Sequence, residues 1–340
     1  MQATVLDFPP TARAPRTTLA DLAHTFAERE SRENPDFDVP LSALTATTEG
    51  TIDVPGHGEF GLNDWSRGQL SHSLGFTWDR FFAGAGSADR SDDLNRRLRR
   101  AGGVVRLRTT SEKIADAPGD GTIRAVVTRG FTPVKDTLVT SLLSDALRVS
   151  DPDARIVRSS VTDLSTSFVV KLGEAFKPGG PGRVGEVWGG LLVRNSGVGY
   201  SRLVVDLHLV RLACLNGMVC PVQMPAIVRA RHAWLDEGQI RQAITTGLDG
   251  VGEKLRRGTR VLEESAHYGI DDVEAEVRRV LQNARLGVRL ARPVLEAYSR
   301  EPHPSRFGVS QALTLAAQST TPEVRLQLEE TAGRYLAGGA

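Results

Sequence analysis

Cysteine is scarce in this chain, where Cys214 and Cys220 are the only two and stand six residues apart. One such pair provides neither a disulfide framework nor the ligand spacing of a structural zinc site. The sequence therefore predicts no metal centre, and a reducing cytoplasm is the simplest location. We interpret Cys214 as a buried strand thiol, because the sequence places no histidine beside it that would make it a nucleophile.

Long apolar runs and a one-sided charge are lacking as well. No stretch of about 18 apolar residues occurs, so we expect no membrane-spanning helix and no membrane partner. The first residues lack an apolar segment flanked by positive charge, so we expect no secretory signal. The net charge is +1, which gives no overall attraction to nucleic acid. The basic residues are mostly arginines, which suit phosphate contacts, but GC-rich coding produces the same composition.

Complete catalytic motifs are also missing. No serine occupies a G-x-S-x-G elbow. Residues 179–182 lack the Lys-Ser/Thr of a P-loop, and residues 197–199 lack the third glycine of a dinucleotide-binding turn. We therefore expect no cofactor. Asp206 and His208 share one face of a predicted strand, as a metal-dependent hydrolase would require, but no further ligand or nucleophile accompanies them.

The chain does have ample material for a buried core, with 40% hydrophobic residues. Period-two alternation dominates to about residue 235, and period 3.6 follows. Because strands do not alternate regularly with helices, the sequence predicts an α+β fold. We expect an antiparallel, twisted β-sheet with packed helices and an all-helical carboxyl-terminal third. The predicted divisions are an arm and irregular segment at 1–59, an α+β core domain at 60–235 and a helical region at 236–340.

Three extended runs joined by turn signals stand out at 188–232. The turns are predicted at Asn195 to Gly197 and at Asn216-Gly217, the second being the stronger hairpin signal. Alternation along the strand at 201–213 places Leu203, Val205, Leu207 and Leu209 on the core side. Two further hairpins are predicted, from 104–108 with 123–128 and from 155–162 with 167–172. Capping signals predict four carboxyl-terminal helices, from Asp236 to about Leu262, from Asp271 to about Leu290, over 305–319, and from Thr321 to Gly338.

Cations alternate with aliphatic residues along the same three runs. Four of them are assigned to the polar side of the predicted sheet: Arg202, His208, Arg229 and Arg231. Such a face suits a nucleic-acid backbone, with Tyr200 or Trp188 stacking on bases. The alternative is a solvated face on which Asp206 pairs with an arginine.

Two further groups of cations are candidates for phosphate contact. Lys177 and Arg183 lie in a glycine-rich segment, although a plain surface loop is the favoured interpretation. Four arginines follow one stripe of a predicted helix with no acid between them: Arg278, Arg285, Arg289 and Arg292. The basic cluster at 96–100 is instead typical of a solvated helix face.

Several short motifs occur in a characteristic order. They are IRAVVTRGFTPVKD at 123–136, RNSGVGYS at 194–201, LVRLACLNGM at 209–218, GVSQALTLAAQ at 308–318 and LEETAG at 328–333. Together they resemble the phage- and plasmid-encoded family called domain of unknown function 932, over about residues 60–337. Gly197 stands where that family often has Glu, and Gln311 where it often has Asn. Ala213 and Leu215 replace the Val and Thr beside the cysteine, so no role for these side chains carries over.

The family has no assigned reaction, so the resemblance implies a setting in mobile-element DNA metabolism. A basic sheet with a helical tail is similar in outline to single-strand-annealing recombinases. We therefore expect a homo-oligomeric DNA-binding protein that acts on single strands in recombination, repair or replication, and we assign no catalytic residue. The alternatives are a structural or assembly protein of a mobile element and the metal-dependent hydrolase.

Overall fold

The computed structural model describes residues 4–7, 18–81, 86–113, 119–176, 186–211, 216–219, 228–232 and 236–338. Its strands are β1 (Thr4–Asp7), β2 (Phe37–Pro40), β3 (Thr45–Ala46), β4 (Ile52–Val54), β5 (Gly58–Leu62), β6 (Val104–Thr110), β7 (Gly121–Thr128), β8 (Arg155–Val161), β9 (Thr166–Phe176), β10 (Val187–Asn195), β11 (Leu203–Arg211), β12 (Asn216–Val219) and β13 (Val228–Ala230). Its helices are α1 (Leu19–Glu30), α2 (Asp64–Ser73), α3 (Trp78–Phe81), α4 (Ser87–Arg100), α5 (Asp136–Ser150), α6 (Glu237–Leu248), α7 (Val251–Ser265), α8 (Val273–Asn283), α9 (Ala291–Arg300), α10 (Arg306–Ala317) and α11 (Pro322–Leu336).

Residues 37–128 contribute a six-stranded sheet, here called the amino-terminal sheet, with the order β2-β6-β7-β5-β4-β3. Neighbouring strands are antiparallel except β5 and β7, which are parallel. Helices α2 and α4 cover it, because Leu70, Leu94 and Leu98 are buried in one cluster with Leu107 and Ile123 of the sheet. This sheet has its own core.

The second sheet, here called the carboxyl-terminal sheet, has the order β1-β8-β9-β10-β11-β12, with β13 also paired to β11. Its inner face is apolar and packs against helices, which include α1 through Phe26 and α7 through Leu255. The Phe26 and Phe168 ring centroids lie 6.2 Å apart. Gly189 on β10 permits the contact with α7, because a Cβ there would come within 2.3 Å of Leu255 Cδ1.

The structure confirms the predicted α+β class, with helices α6 to α11 in the carboxyl-terminal third. The hairpins β6–β7, β8–β9 and β10–β11 form as the alternation predicts. The four aliphatic residues from Leu203 to Leu209 are buried on the inner face. The predicted boundary between residues 59 and 60 falls inside β5, and Thr4–Asp7 pairs with β8, so part of the predicted arm contributes to the sheets.

One predicted turn and the bounds of two predicted helices are wrong. Asn216-Gly217 does not form the predicted turn, because it lies within β12, opposite Arg211 and Val210. The helix expected from Asp236 breaks after Leu248, where Gly250 adopts a left-handed φ of 69°. The next helix is capped by Asp272 and ends at Asn283. Ser305 and Thr321 cap α10 and α11 in position as predicted.

None of the helices in the described part of the chain is long and apolar enough to cross a membrane.

Candidate nucleic-acid interface

The outer face of the carboxyl-terminal sheet is polar, as alternation predicts, but it lies beneath α11. Leu326 of α11 packs on Val169 and Leu192 of this face. Around that contact lies a set of polar and charged residues that we call the polar layer: Arg158, Arg194, Asp206, His208, Glu329 and Glu330. The part of the predicted face that carries His208 is therefore not open for binding, because the carboxyl-terminal helix covers it.

Ion pairs neutralise the arginines of the polar layer. Glu329, whose side chain is 1% exposed, accepts two hydrogen bonds from Arg158, of 2.5 and 2.7 Å. Arg194 reaches Asp206 at 3.3 Å and Glu330 at 2.6 Å. The acids on α11 therefore balance cations that lie more than 120 residues earlier in the sequence.

His208 is enclosed in this layer and is 1% exposed. Burial lowers its pKa to about 4, and this outweighs the opposite effect of the nearby Glu329 carboxylate. Its Nδ1 atom has no hydrogen-bond partner among the described residues. A neutral, enclosed imidazole cannot neutralise a phosphate near pH 7, so its assignment to the binding surface is wrong.

The Asp206 carboxylate pairs with Arg194, so it is not positioned as an acid or base that acts together with His208. Within the described ranges, no group of three or more His, Cys, Asp or Glu side chains converges as metal ligands would.

Trp188 is another candidate whose ring is already occupied. Lys171 Nζ lies 3.0 Å from the ring centroid, which is a cation–π contact. Burial, with repulsion from Arg155, lowers the pKa of Lys171 to about 8. The sequence gives no signal for this pair, because the two residues meet only through the register of β9 and β10. Stacking of a base on Trp188 would require displacing the lysine.

Two predicted cations do lie at an accessible end of this sheet. Arg202 and Arg231 flank the last pair of the β11–β13 ladder, Leu203 with Ala230, and both are exposed. Neither has an ion-pair partner within the described ranges. Tyr200, two residues before Arg202, is 40% exposed. We call Tyr200, Arg202 and Arg231 the Tyr–Arg patch.

The turn that carries Tyr200 is held rigidly by side chains of the predicted Asn-Ser-Gly motif. The Ser196 hydroxyl donates to Leu164 O at 2.6 Å and accepts from the Tyr200 amide at 2.9 Å. The Asn195 amide group donates to Val134 O and to Asp136 Oδ1, both at 2.7 Å. The motif therefore orders a turn, and that turn fixes the backbone from which Tyr200 projects.

Helix α2, which packs on the amino-terminal sheet, also contacts this turn. Trp65 Nε1 donates to Val198 O at 2.9 Å, and its ring meets that of Tyr200 edge-on at 5.1 Å between centroids. On the other strand, buried His232 follows Arg231, and its carbonyl accepts from the Thr132 amide at 2.9 Å. Both ends of the Tyr–Arg patch are thus anchored to residues of another part of the chain.

The side chains of three other predicted binding residues lie outside the described part of the chain. Arg229 lies on β13 in register with Val204, and its side chain is outside the described part. Lys177 and Arg183 also lie outside the described residues.

The predicted arginine stripe of the helical region is interrupted. After α8, Arg285 adopts a left-handed φ of 56°, and a single 3₁₀ turn at Val288–Leu290 leads into α9. Three of the four arginines nevertheless line one open groove of about 720 Å³: Arg278, Arg289 and Arg292. Val288 and Leu295 also line it. We call this feature the arginine groove.

Acids outside the stripe neutralise part of the groove. Arg278 pairs with Glu274 at 2.7 Å and Arg292 with Glu296 at 2.8 Å. Arg285 and Arg289 are exposed and have no ion-pair partner among the residues described. The prediction overlooked Glu274 and Glu296 because they flank the stripe, four residues from the arginines that they pair with.

The basic cluster on α4 fits its predicted role as a solvated helix face. Asp93 pairs with Arg96 at 3.3 Å and with Arg97 at 2.8 Å. The Arg97 guanidinium also lies over the Phe76 ring, 4.8 Å from its centroid.

Comparison with known proteins gives no relative: no protein-family model, no curated protein and no solved structure matches the chain.

Proposed function

We propose that this protein binds single-stranded DNA through the Tyr–Arg patch. The observation that carries the proposal is the juxtaposition of two exposed arginines, Arg202 and Arg231, with the exposed ring of Tyr200 at one end of a rigid sheet. Arginine pairs with phosphate, and a tyrosine ring stacks on a base of any identity. A single strand offers both contacts, whereas a duplex offers its phosphates but keeps its bases paired and stacked.

In this proposal each arginine neutralises one phosphate and releases condensed counterions, so affinity falls as salt rises. Tyr200 stacks on an unpaired base, and the edge-on contact with Trp65 holds its ring in place. The arginine groove supplies a further phosphate contact through Arg289. Arg285, which is exposed but does not line the groove, is a second candidate contact.

The resemblance to the phage- and plasmid-encoded family supports recombination, repair or replication as the setting. An annealing role would require the protein to assemble as a homo-oligomer along the strand, and we include that assembly in the proposal.

Titration of a labelled poly-dT oligonucleotide, followed by fluorescence anisotropy, tests the function. We expect saturable binding at about 50 mM salt that weakens steeply by about 200 mM, because phosphate contacts release counterions. Replacing Tyr200 by Leu should weaken binding about tenfold through loss of one stacked base. Arg148→Gln, an exposed arginine on α5, is the control for a change of one charge and should leave affinity unchanged. An absence of binding at low salt would refute the function.

The arginine groove favours a second candidate, an assembly protein. Val288 is 66% exposed in the groove, and an apolar floor with a basic rim suits protein side chains. Light scattering distinguishes the two candidates. Large assemblies that form without binding DNA, and that dissociate in the Val288→Asp variant, would support the assembly protein. A species that assembles only on the oligonucleotide would support the DNA-binding protein.

A further inference from the structure

A small cavity lies between the outer face of the carboxyl-terminal sheet and the first turn of α11. It has a volume of about 40 Å³, and its polar lining comes from Arg158, Ser160, Ser167, Thr320 and Arg325. This is more space than a single water needs. Neither the arginine groove nor the Tyr–Arg patch shares a residue with it, so it is a separate feature of the molecule.

Ser160 is the first indication that the cavity holds a ligand. The residue is 8% exposed, and its hydroxyl oxygen is buried without a hydrogen-bond partner among the described residues. Ser160 pairs with Ser167 across the β8–β9 ladder, so both serines stand on the sheet face that lines the cavity. A buried hydroxyl left without a partner is destabilising, which favours an occupant that accepts its proton.

The first turn of α11 is the second indication. Thr321 makes no side-chain capping bond in the described structure, and Pro322 has no amide hydrogen to offer. The first intrahelical bond runs from the Arg325 amide to Thr321 O, at 2.8 Å. Within the described part of the chain, the amides of Glu323 and Val324 therefore have no hydrogen-bond partner. They lie at the positive end of a 15-residue helix, which is a general site for anions, and Pro322 and Arg325 of the same turn line the cavity.

The two arginines of the cavity are held in defined positions. Arg158 is fixed by its two bonds to Glu329. The Arg325 guanidinium donates from Nε to Ala317 O at 3.3 Å and from Nη2 to Gln318 O at 2.6 Å, both at the end of α10. Planar guanidinium groups held in this way favour oxyanions over spherical anions.

We propose that this cavity binds a phosphate group, with the Ser160 hydroxyl donating to one of its oxygens and Arg325 adjacent to it. Two sources share this chemistry: free inorganic phosphate and the terminal phosphate of a DNA strand. The second source rests on the proposed function, and the first does not.

Calorimetric titration of the full chain with inorganic phosphate, against chloride at equal ionic strength, tests the site. We expect saturable binding of phosphate, and a rise in melting temperature that chloride does not produce. Ser160→Ala should weaken phosphate binding about tenfold, the contribution of a hydrogen bond to a charged group. Ser159→Ala, the neighbouring residue on the opposite sheet face, is the matched control and should bind phosphate as the wild type does.

Arg325→Gln gives an independent readout if Ser160→Ala lowers the yield of folded protein, and it too should weaken phosphate binding. Equal behaviour of phosphate and chloride would overturn the proposal, and so would unchanged affinity in both variants.

Oligonucleotides with a 5′-phosphate or a 5′-hydroxyl identify the source. A Ser160-dependent preference for the phosphorylated strand identifies a strand end. Equal binding of both strands, together with saturable inorganic phosphate binding, identifies free phosphate. Variants of Arg202 and Arg231 should retain phosphate binding whatever their effect on DNA, so failure of the proposed function would not be mistaken for failure of this site.

Discussion

The polar layer and the Tyr–Arg patch are built from the same strand pattern but have opposite environments. The strand residues of both follow the alternation of polar and aliphatic side chains in the carboxyl-terminal sheet, on β8, β10 and β11 in the polar layer and at the β11–β13 end in the patch. In the polar layer, Glu329 and Glu330 of α11 pair with the arginines and exclude solvent. At the patch, Arg202 and Arg231 lie beyond the end of the ladder and remain exposed. Alternation therefore identifies a polar face, whereas acids from distant parts of the sequence decide whether its cations are exposed and unpaired.

The largest loss of stability is expected in the polar layer, when Glu329 is replaced by Ala. This change leaves Arg158 as a charge beneath α11, and we expect the free energy of unfolding to fall by about 3–5 kcal/mol. Urea denaturation measures it. The double variant Arg158→Met, Glu329→Leu should recover most of that loss, because it removes both charges together. A cost for Glu329→Ala below about 1 kcal/mol would mean that the pair behaves as a surface pair.

Acidification should destabilise the protein through His208. The pKa of His208 falls from 6.5 to about 4 on folding, because burial disfavours the charged imidazole. The unfolded chain therefore binds more protons below pH 6.5, and stability is lost as pH falls from about 6.5 towards about 4. The contribution of this group should approach about 3 kcal/mol at the lower limit. Burial lowers the pKa of His232 as well, which adds to the loss in the same direction.

Urea denaturation over that pH range, with wild type and His208→Gln, isolates the contribution of His208. The variant should lose less stability on acidification than the wild type does. His72→Gln, which alters an exposed histidine, should keep the wild-type pH dependence. Identical curves for wild type and His208→Gln would show that the imidazole is not desolvated.

The smallest effect is expected at the rim of the arginine groove. Glu274 and Arg278 are 59% and 52% exposed, so solvent screens their pairing. We expect Glu274→Ala to change the free energy of unfolding by less than about 0.5 kcal/mol. The same urea titration measures this. A loss comparable to that of Glu329→Ala would remove the distinction between exposed and enclosed pairs.

Much of the fold could be predicted because local signals suffice for it. Period-two alternation predicts the inner face from Leu203 to Leu209. Ser305 and Thr321 mark helix starts because serine and threonine are preferred at the N-cap. The parallel pairing of β5 with β7 carries no local signal, since it depends on which strands become neighbours. The turn predicted at Asn216-Gly217 is wrong because a turn-forming residue pair does not specify where the strands on either side stop pairing.

The candidate site was only partly predictable. Arg202 and Arg231 could be found because alternation along each run assigns both to the polar side. Their position at one end of the β11–β13 ladder comes from the structure. The burial of His208 could not, because it depends on α11 crossing the outer face from more than 100 residues away. The cavity beside Ser160 combines strands β8 and β9 with the start of α11, and no sequence spacing connects those segments.

The most direct test of the proposed interface is the salt dependence of oligonucleotide binding in the double variant Arg202→Gln, Arg231→Gln. Anisotropy titrations at several salt concentrations give the slope of log affinity against log salt. We predict that the slope decreases by about 1.4 relative to the wild type, because two single-strand phosphate contacts are lost. The control Arg148→Gln should retain the wild-type slope. An unchanged slope and affinity in the double variant would contradict the assignment of the Tyr–Arg patch as the DNA-binding surface.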